Sequence, residues 1–356
     1  MNTSTESSLT ILRRQYLQLL EPQYMRWPDS TTLKAPTIQT WIFDNLFDAE
    51  QIAHPPPDRY RLRVLKMLIA KLEDAVNDPE DDEISDELMS TLALLLSSSL
   101  PSELASIQQK AYVTYSYSHF ADDQSSGELP VTLLESRSVI SSSGTTGLRT
   151  WEAALLLGAY LASSHGRQFV QNKRVFEVGA GTGMLSILCA KHLGASGVVA
   201  TDGDEAVVDA INTNIFLNEH DSGESNRTVV HTAAVKWGYP IEASTFAEDY
   251  GMDVPDVVLG ADVTYDKAVI PSLVSTLTEF FGLNSALQVL VAATIRNEQT
   301  FETFLNACRR NRFDLELVEF PLLPEHLQTG PFYPTSTPIQ IWRITRPQPP
   351  VDLFAF

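Results

Sequence analysis

The run Val175-Phe176-Glu177-Val178-Gly179-Ala180-Gly181-Thr182-Gly183 joins a strand-like stretch to a helix-like one. Glycines there allow a tight turn and remove the Cβ atoms that would keep a ligand away. The spacing is G-x-G-x-G. A dinucleotide loop reads G-x-G-x-x-G, with a third glycine that eases packing around a pyrophosphate. Met184 stands at that third place, which speaks against a nicotinamide cofactor. No Gly-Lys-Ser/Thr follows, so a P-loop is excluded. A tight turn that binds nothing is the alternative. The next strand-like run closes on Val199-Ala200-Thr201-Asp202. In doubly wound sheets the ligand lies beyond the carboxyl ends of the strands. A carboxylate there accepts both hydroxyls of a ribose in charge-assisted hydrogen bonds. It also suits a helix N-cap, since a helix opens near Ala206. Asp204 fits the cap better, which leaves Asp202 for the ribose. Lys236-Trp237 follows the third strand at the same edge, where an indole covers an adenine face. Trp151 begins the helix before the first strand. Either tryptophan suits a core position equally well.

The fourth strand-like run ends at Ala261 and is followed by Asp262-Val263-Thr264-Tyr265-Asp266. Asp262 and Tyr265 at that edge suit an amine that is to accept a methyl group. A lysine ammonium has a reference pKa of about 10.4, so its neutral amine is scarce near neutrality. A site must desolvate it, orient it and let its proton leave. A carboxylate and a phenol that each accept one N–H would aim the remaining lone pair. Asp262 is then the orienting group and proton acceptor, and Tyr265 a positioning group. Asp262 as a plain strand-end cap is the alternative. After the fifth strand, Arg296 and Asn297 face the same edge and suit contact with an acceptor protein, although Asn297 suits a helix start as well.

These residues need a sheet to gather them. From about residue 150, strand-like runs alternate with helical ones, the pattern of a doubly wound α/β domain. Strands are expected at Arg174–Val178, Gly197–Thr201, Thr228–Thr232, Val254–Leu259 and Leu287–Ala292, with a further pair at Phe313–Phe320 and Ile339–Ile344. Helices are expected between them at Thr150–Ser163, Gly183–His192, Ala206–Asn218, Lys267–Phe281 and Glu298–Arg310. Residues 8–135 read as helical, with Leu9, Ile11, Leu12, Leu17, Leu19 and Leu20 on an early helix and Leu62, Val64, Leu65, Leu68, Ile69 and Leu72 on a later one. Leu94-Leu95-Leu96 is expected to be core, and the acidic run at residues 78–83 a solvated loop. Serine-rich residues 136–149 read as a linker between a helical domain at 1–135 and a second domain at 150–346.

The chain has 356 residues and a net charge of −20. Such a field repels nucleic acid and anionic membrane and suits a basic partner. Two cysteines, Cys189 and Cys308, in apolar helix-like stretches suggest neither a disulfide framework nor a metal site. The start of the chain is polar, with no signal-like apolar core. No apolar run approaches the ~20 residues of a membrane span.

Together, Gly147-Leu148-Arg149-Thr150-Trp151-Glu152-Ala153, the Glu177–Gly183 loop, Asp202, Val235-Lys236-Trp237 and Gly260-Ala261-Asp262-Val263-Thr264-Tyr265 resemble family 16 of the seven-β-strand methyltransferases. The Asp-Val-x-Tyr element is typical of its lysine-directed members. Thr294-Ile295-Arg296-Asn297, with the helical first domain, resembles the branch that methylates elongation factor 2, whose fungal member is similar in layout. The resemblance implies a Rossmann-like sheet of order 3-2-1-4-5-7-6 behind a mainly helical domain, with S-adenosylmethionine as the cofactor. It further implies a protein-lysine acceptor, a monomer and a cytoplasmic location. Trp151, Gly179, Ala180, Gly181, Asp202, Trp237 and Ala261 are then the cofactor contacts, with Glu177 at the head of the loop counted among them. Ala261-Asp262-Val263-Thr264 stands where methylases of planar nitrogen carry Asn/Asp-Pro-Pro-Tyr, which argues against DNA or glutamine as acceptor. A methyltransferase for a small molecule and a non-catalytic module that kept the fold are the competing readings.

Overall fold

Apolar residues at helical spacing build the first part of the chain. The computed structural model describes residues 3–76, 83–118, 127–136, 145–218 and 228–347. Helix α1 (Thr3–Leu17) buries Leu9, Leu12 and Tyr16. It ends before Leu19, which takes a left-handed φ of 60°. Two short helices, α2 (Ser30–Leu33) and α3 (Pro36–Ile42), lead to α4 (Asp58–Ala75), where Leu62, Val64, Leu65, Leu68, Ile69 and Leu72 are all buried. Helices α5 (Asp86–Ser97) and α6 (Glu103–Gln108) follow.

Two expectations fail in this part. Of Leu94-Leu95-Leu96 only Leu95 is core; Leu94 is 69% exposed and Leu96 55%. Successive helical residues point about 100° apart, so three in a row cannot share one buried face. The end of the stretch read as helical is instead a two-stranded sheet of β1 (Lys110–Ser118) and β2 (Glu128–Ser136). Ala111, Val113, Tyr115 and Tyr117 are buried on one strand, and Leu129, Val131 and Leu133 on the other. That is a period of two, carried by β-branched and aromatic residues. The hydroxyls of Thr114 and Thr132 bond across the pair at 2.9 Å. Ser136 closes β2 rather than opening a linker. Residues 137–144 of the expected linker, and 78–82 of the acidic run, lie outside the described residues.

The later part alternates as expected. Its elements are α7 (Glu152–Ala162), α8 (Ser164–Arg167), β3 (Arg174–Val178), α9 (Met184–Lys191), β4 (Gly197–Asp202), α10 (Glu205–Leu217) and β5 (Val230–Ala234), then α11 (Phe246–Tyr250), β6 (Val257–Ala261), α12 (Ile270–Leu283), β7 (Gln288–Thr294), α13 (Glu298–Arg310), β8 (Asp314–Leu317) and β9 (Ile339–Thr345). The sheet runs β5-β4-β3-β6-β7-β9-β8. Counted within this sheet, that is the order 3-2-1-4-5-7-6. Strands β3 to β7 are parallel, β9 is antiparallel to β7, and β8 is antiparallel to β9. Parallel strands covered on both faces read as continuous apolar runs, as Val257-Val258-Leu259 does. Strands β5 and β6 start two or three residues later than expected, and β6 begins only beyond Pro255, which has no N–H to donate to a ladder.

Helix α13 buries Phe301, Phe304, Leu305 and Cys308, spaced i, i+3, i+4 and i+7. Alongside it α12 buries Leu273, Val274, Leu277, Phe280 and Phe281. These residues join Phe176, Val258 and Val289 of the strands in one core. Pairs such as Val178 with Thr201 and Ala261 with Ala292 set the carboxyl ends of the parallel strands along one edge.

The chain divides into two compact units. The first takes Met1–Ser116, Thr132–Ser142 and Thr329–Phe332; the second takes Tyr117–Val131, Ser143–Gln328 and Tyr333–Phe356. Within the first unit the late segment is tied to the start of the chain. Arg14 donates to the Thr329 carbonyl at 2.9 Å, and the Gln18 amide accepts the Phe332 N–H at 2.8 Å. Among the described residues no helix is long and apolar enough to cross a membrane.

Candidate active site

The second unit holds every residue singled out for chemistry. At the end of β3 the backbone turns through three left-handed glycines: Gly179 at φ 62°, Gly181 at 56° and Gly183 at 79°. Other residues adopt this region at a cost of roughly 1–2 kcal/mol each, which is why glycine stands at all three places. The Ala180 N–H donates to the Thr201 carbonyl at 2.8 Å and ties the turn to β4. A Cβ on Gly181 would stand 3.1 Å from the Gly147 carbonyl oxygen. One on Gly179 would stand 2.9 Å from Val263 Cγ1 and 3.2 Å from Trp237 Cζ2. The loop is therefore a close-fitting cradle. It draws Gly147, Trp237 and the turn after β6 together.

Asp202 ends β4 beside this cradle. One carboxylate oxygen accepts the Gly181 N–H at 3.1 Å and the other accepts the Asp204 N–H at 3.2 Å. Burial pushes its carboxyl above the usual carboxylate range, against the pull of these backbone N–H groups. Asp204 itself caps α10 by accepting the Ala206 N–H at 2.8 Å. A cavity of about 590 Å³ opens beside them, lined among others by Gly203, Asp204, Val235 and Lys236 at the ends of β4 and β5. Trp237, the residue after Lys236, is half-buried, and the Gly238 N–H anchors its turn on the Thr276 hydroxyl at 2.9 Å.

Glu177 behaves differently. It is 2% exposed, and its carboxylate accepts the Ser186 N–H at 2.9 Å and the Ser186 hydroxyl at 2.5 Å. Its carboxylate thus serves the first turns of α9. Desolvation pushes its carboxyl up to about 7.

Asp262, just past β6, holds a left-handed φ of 53°, which aspartate tolerates better than most residues. Its Oδ1 accepts the Thr294 N–H at 2.7 Å and its Oδ2 accepts the Thr294 hydroxyl at 2.9 Å. Arg296 Nη1 lies 3.5 Å from the same Oδ2. Burial raises the Asp262 carboxyl above its ordinary value; Thr294 and the Arg296 charge oppose that, and the Glu152 charge adds to it. Tyr265, three residues on, is 68% exposed at the surface of the turn. Ala261 is half-buried at the strand end.

Trp151 is the residue before α7, half-buried, and its indole N–H donates to the Thr146 carbonyl at 3.2 Å. Guanidinium groups lie over its ring, Arg296 at 5.1 Å and Arg149 at 5.7 Å. Arg296, read as a contact for the acceptor protein, also pairs with Glu152 at 2.5 Å. Asn297 is a helix cap, accepting the Thr300 N–H at 3.0 Å.

The structure thus brings Gly179, Ala180, Gly181, Asp202 and Trp237 to one edge, with Asp262 reached through its neighbour Val263. It gives roles to Glu152, Thr294 and Gly147, which the sequence offered only as members of the resembling motifs, with no chemistry of their own. Glu152 reads only as a favourable first-turn acid, and a threonine at a strand end carries no chemical signal of its own. The donor set suits S-adenosylmethionine: a turn with glycine at positions 179, 181 and 183, a carboxylate suited to a ribose and an indole suited to an adenine face.

Residues 138–311 match the family model described as lysine methyltransferase. Protein-lysine N-methyltransferase EFM3 of Chaetomium thermophilum is 45% identical over 93% of this chain and 96% of its own length. The EFM3 protein of Saccharomyces cerevisiae is 31% identical over 81% of this chain and 85% of its own. Human protein-lysine N-methyltransferase EEF2KMT is 30% identical over 78% and 79%. The glycine cradle at the strand edge and these matches over most of the chain agree: the chain belongs to the lysine methyltransferase family and is an S-adenosylmethionine-dependent protein-lysine N-methyltransferase.

Proposed function

We propose that the enzyme methylates a lysine of elongation factor 2, acting as a cytoplasmic monomer, with Asp262 as the carboxylate that receives the lysine amine. The observation that carries the site assignment is the buried Asp262 side chain, 9% exposed, at a strand end that touches the glycine cradle through Val263. The choice of substrate rests on the resemblance of Thr294-Ile295-Arg296-Asn297 and the helical first part to that branch, and on the net charge of −20, which favours a basic partner.

Trp151, Gly179, Ala180, Gly181, Asp202, Trp237 and Ala261 hold the cofactor in this reading, and Glu177 secures the helix behind them. When bound, S-adenosylmethionine supplies an electrophilic methyl group on a sulfonium. The protein's own task is to present a neutral amine. Asp262 Oδ2 accepts an N–H of the lysine and takes up the proton that must leave. The carboxyl, raised by burial, is a better proton acceptor than an ordinary aspartate. Tyr265, exposed on the same turn, steadies the lysine stem as it enters. Alignment of the amine supplies most of the rate, and no covalent enzyme intermediate is required.

Incubating the purified enzyme with labelled cofactor and elongation factor 2 tests this. Label on a single lysine of the factor is the expected result. Label only on another protein would remove this substrate and keep the chemistry. Label only on free metabolites would favour a small-molecule acceptor.

A further inference from the structure

One guanidinium joins three separate elements at the candidate site. Arg296 follows β7; its Nη2 meets Glu152 Oε2 of α7 at 2.5 Å, its Nη1 meets Asp262 Oδ2 after β6 at 3.5 Å, and its ζ carbon lies 5.1 Å from the Trp151 ring centre. Arg296 is 45% exposed, whereas Glu152 and Asp262 are 20% and 9%. A planar fork addresses two carboxylates and stacks on an indole at once; an ammonium is a point charge and does neither.

We propose that Arg296 is a positioning residue for the transfer, bridging Glu152 and Asp262 so that Asp262 stays anionic and keeps Oδ2 turned to the incoming amine. The inference rests on the reading of Asp262 as the acceptor-side carboxylate. Thr294 holds the Asp262 side chain by two hydrogen bonds but brings no charge. Without Arg296, Glu152 faces Asp262 as an uncompensated like charge, and both push the Asp262 carboxyl toward protonation. The groups that decide the charge of Asp262 are therefore Arg296 and Glu152, with Thr294 as the neutral anchor.

The test compares wild type, Arg296→Gln, Arg296→Lys and Asp262→Asn. Cofactor binding is read by calorimetry, folding by thermal denaturation, and kcat and KM for the protein substrate across pH. In Arg296→Gln, kcat is expected to fall about tenfold, with KM for the protein little changed and the acid limb of the kcat profile moved to higher pH. Arg296→Lys restores the position of the limb but only part of the rate. A folded Arg296→Gln enzyme with an unmoved limb and normal kcat, beside an inactive Asp262→Asn, would overturn the bridge and leave the Asp262 reading standing. A fall in KM with a rise in kcat would also overturn it, since the guanidinium would then occupy the amine's own place. Full turnover in Asp262→Asn would remove the reading underneath and the bridge with it.

Discussion

Asp262→Asn separates chemistry from folding, because the exchange preserves shape. The amide oxygen still accepts the Thr294 N–H, held at 2.7 Å in the parent, and the new NH2 donates to the Thr294 hydroxyl at the 2.9 Å position. What disappears is the ion pair with Arg296 at 3.5 Å, whose arginine is 45% exposed. Such pairs contribute only about 0.2–1 kcal/mol. Removing a carboxylate that burial already disfavours offsets part of that, so net stability should change by less than about 1 kcal/mol. The catalytic cost is larger. Losing a general base and its orientation typically removes about 10²–10⁴ in rate, which is roughly 3–5 kcal/mol of barrier at 1.36 kcal/mol per tenfold. The assay measures methyl transfer to the protein substrate at saturating cofactor, with calorimetry of cofactor binding and a thermal melt beside it. A collapsed kcat with parental cofactor affinity and a parental melt is the expected result. Undiminished turnover would refute the account of the acceptor pocket.

Three further outcomes follow from the geometry. Gly179→Arg places a side chain where a Cβ already meets Val263 at 2.9 Å and Trp237 at 3.2 Å, on a left-handed backbone; it should abolish the heat of cofactor binding and methyl transfer together, and parental binding would refute the cradle. Glu177 has a folded pKa of about 7, raised from 4.5 by burial, so the folded state holds its proton longer than the unfolded one. Its penalty is absent below about pH 4.5 and grows to roughly 3 kcal/mol as pH rises past 7. Glu177→Gln should therefore gain on the parent between about pH 5 and pH 8 in thermal melts, and a gap independent of pH would contradict this. Asn297→Ala removes the cap on Thr300 N–H and should cost about 1 kcal/mol, or roughly 2–4 °C in melting temperature; an unchanged melt would show that the cap bears no weight.

The sequence by itself determined the alternating architecture, because strands such as β6 are short apolar runs and helices such as α13 carry a periodicity and a cap of their own. Arg174–Val178 and Glu298–Arg310 were legible to the residue. The glycine loop was legible as well, since left-handed backbone at three places leaves little choice of residue. Asp204 as the cap followed from its distance to the helix start. Other features were not legible. The β1–β2 pair hid in a stretch taken for helix, because its alternation is short and follows a long helical region. Leu94 and Leu96 are exposed because what lies beside a helix, rather than its composition, decides which side is buried. Tertiary structure alone turned Glu177 inward to Ser186 and left Tyr265 at the surface. It alone joined Glu152, Asp262 and Arg296, which lie up to 144 positions apart in the chain. Local patterns report what one segment prefers; a bridge between three strand and helix ends exists only once the sheet order has set those ends side by side.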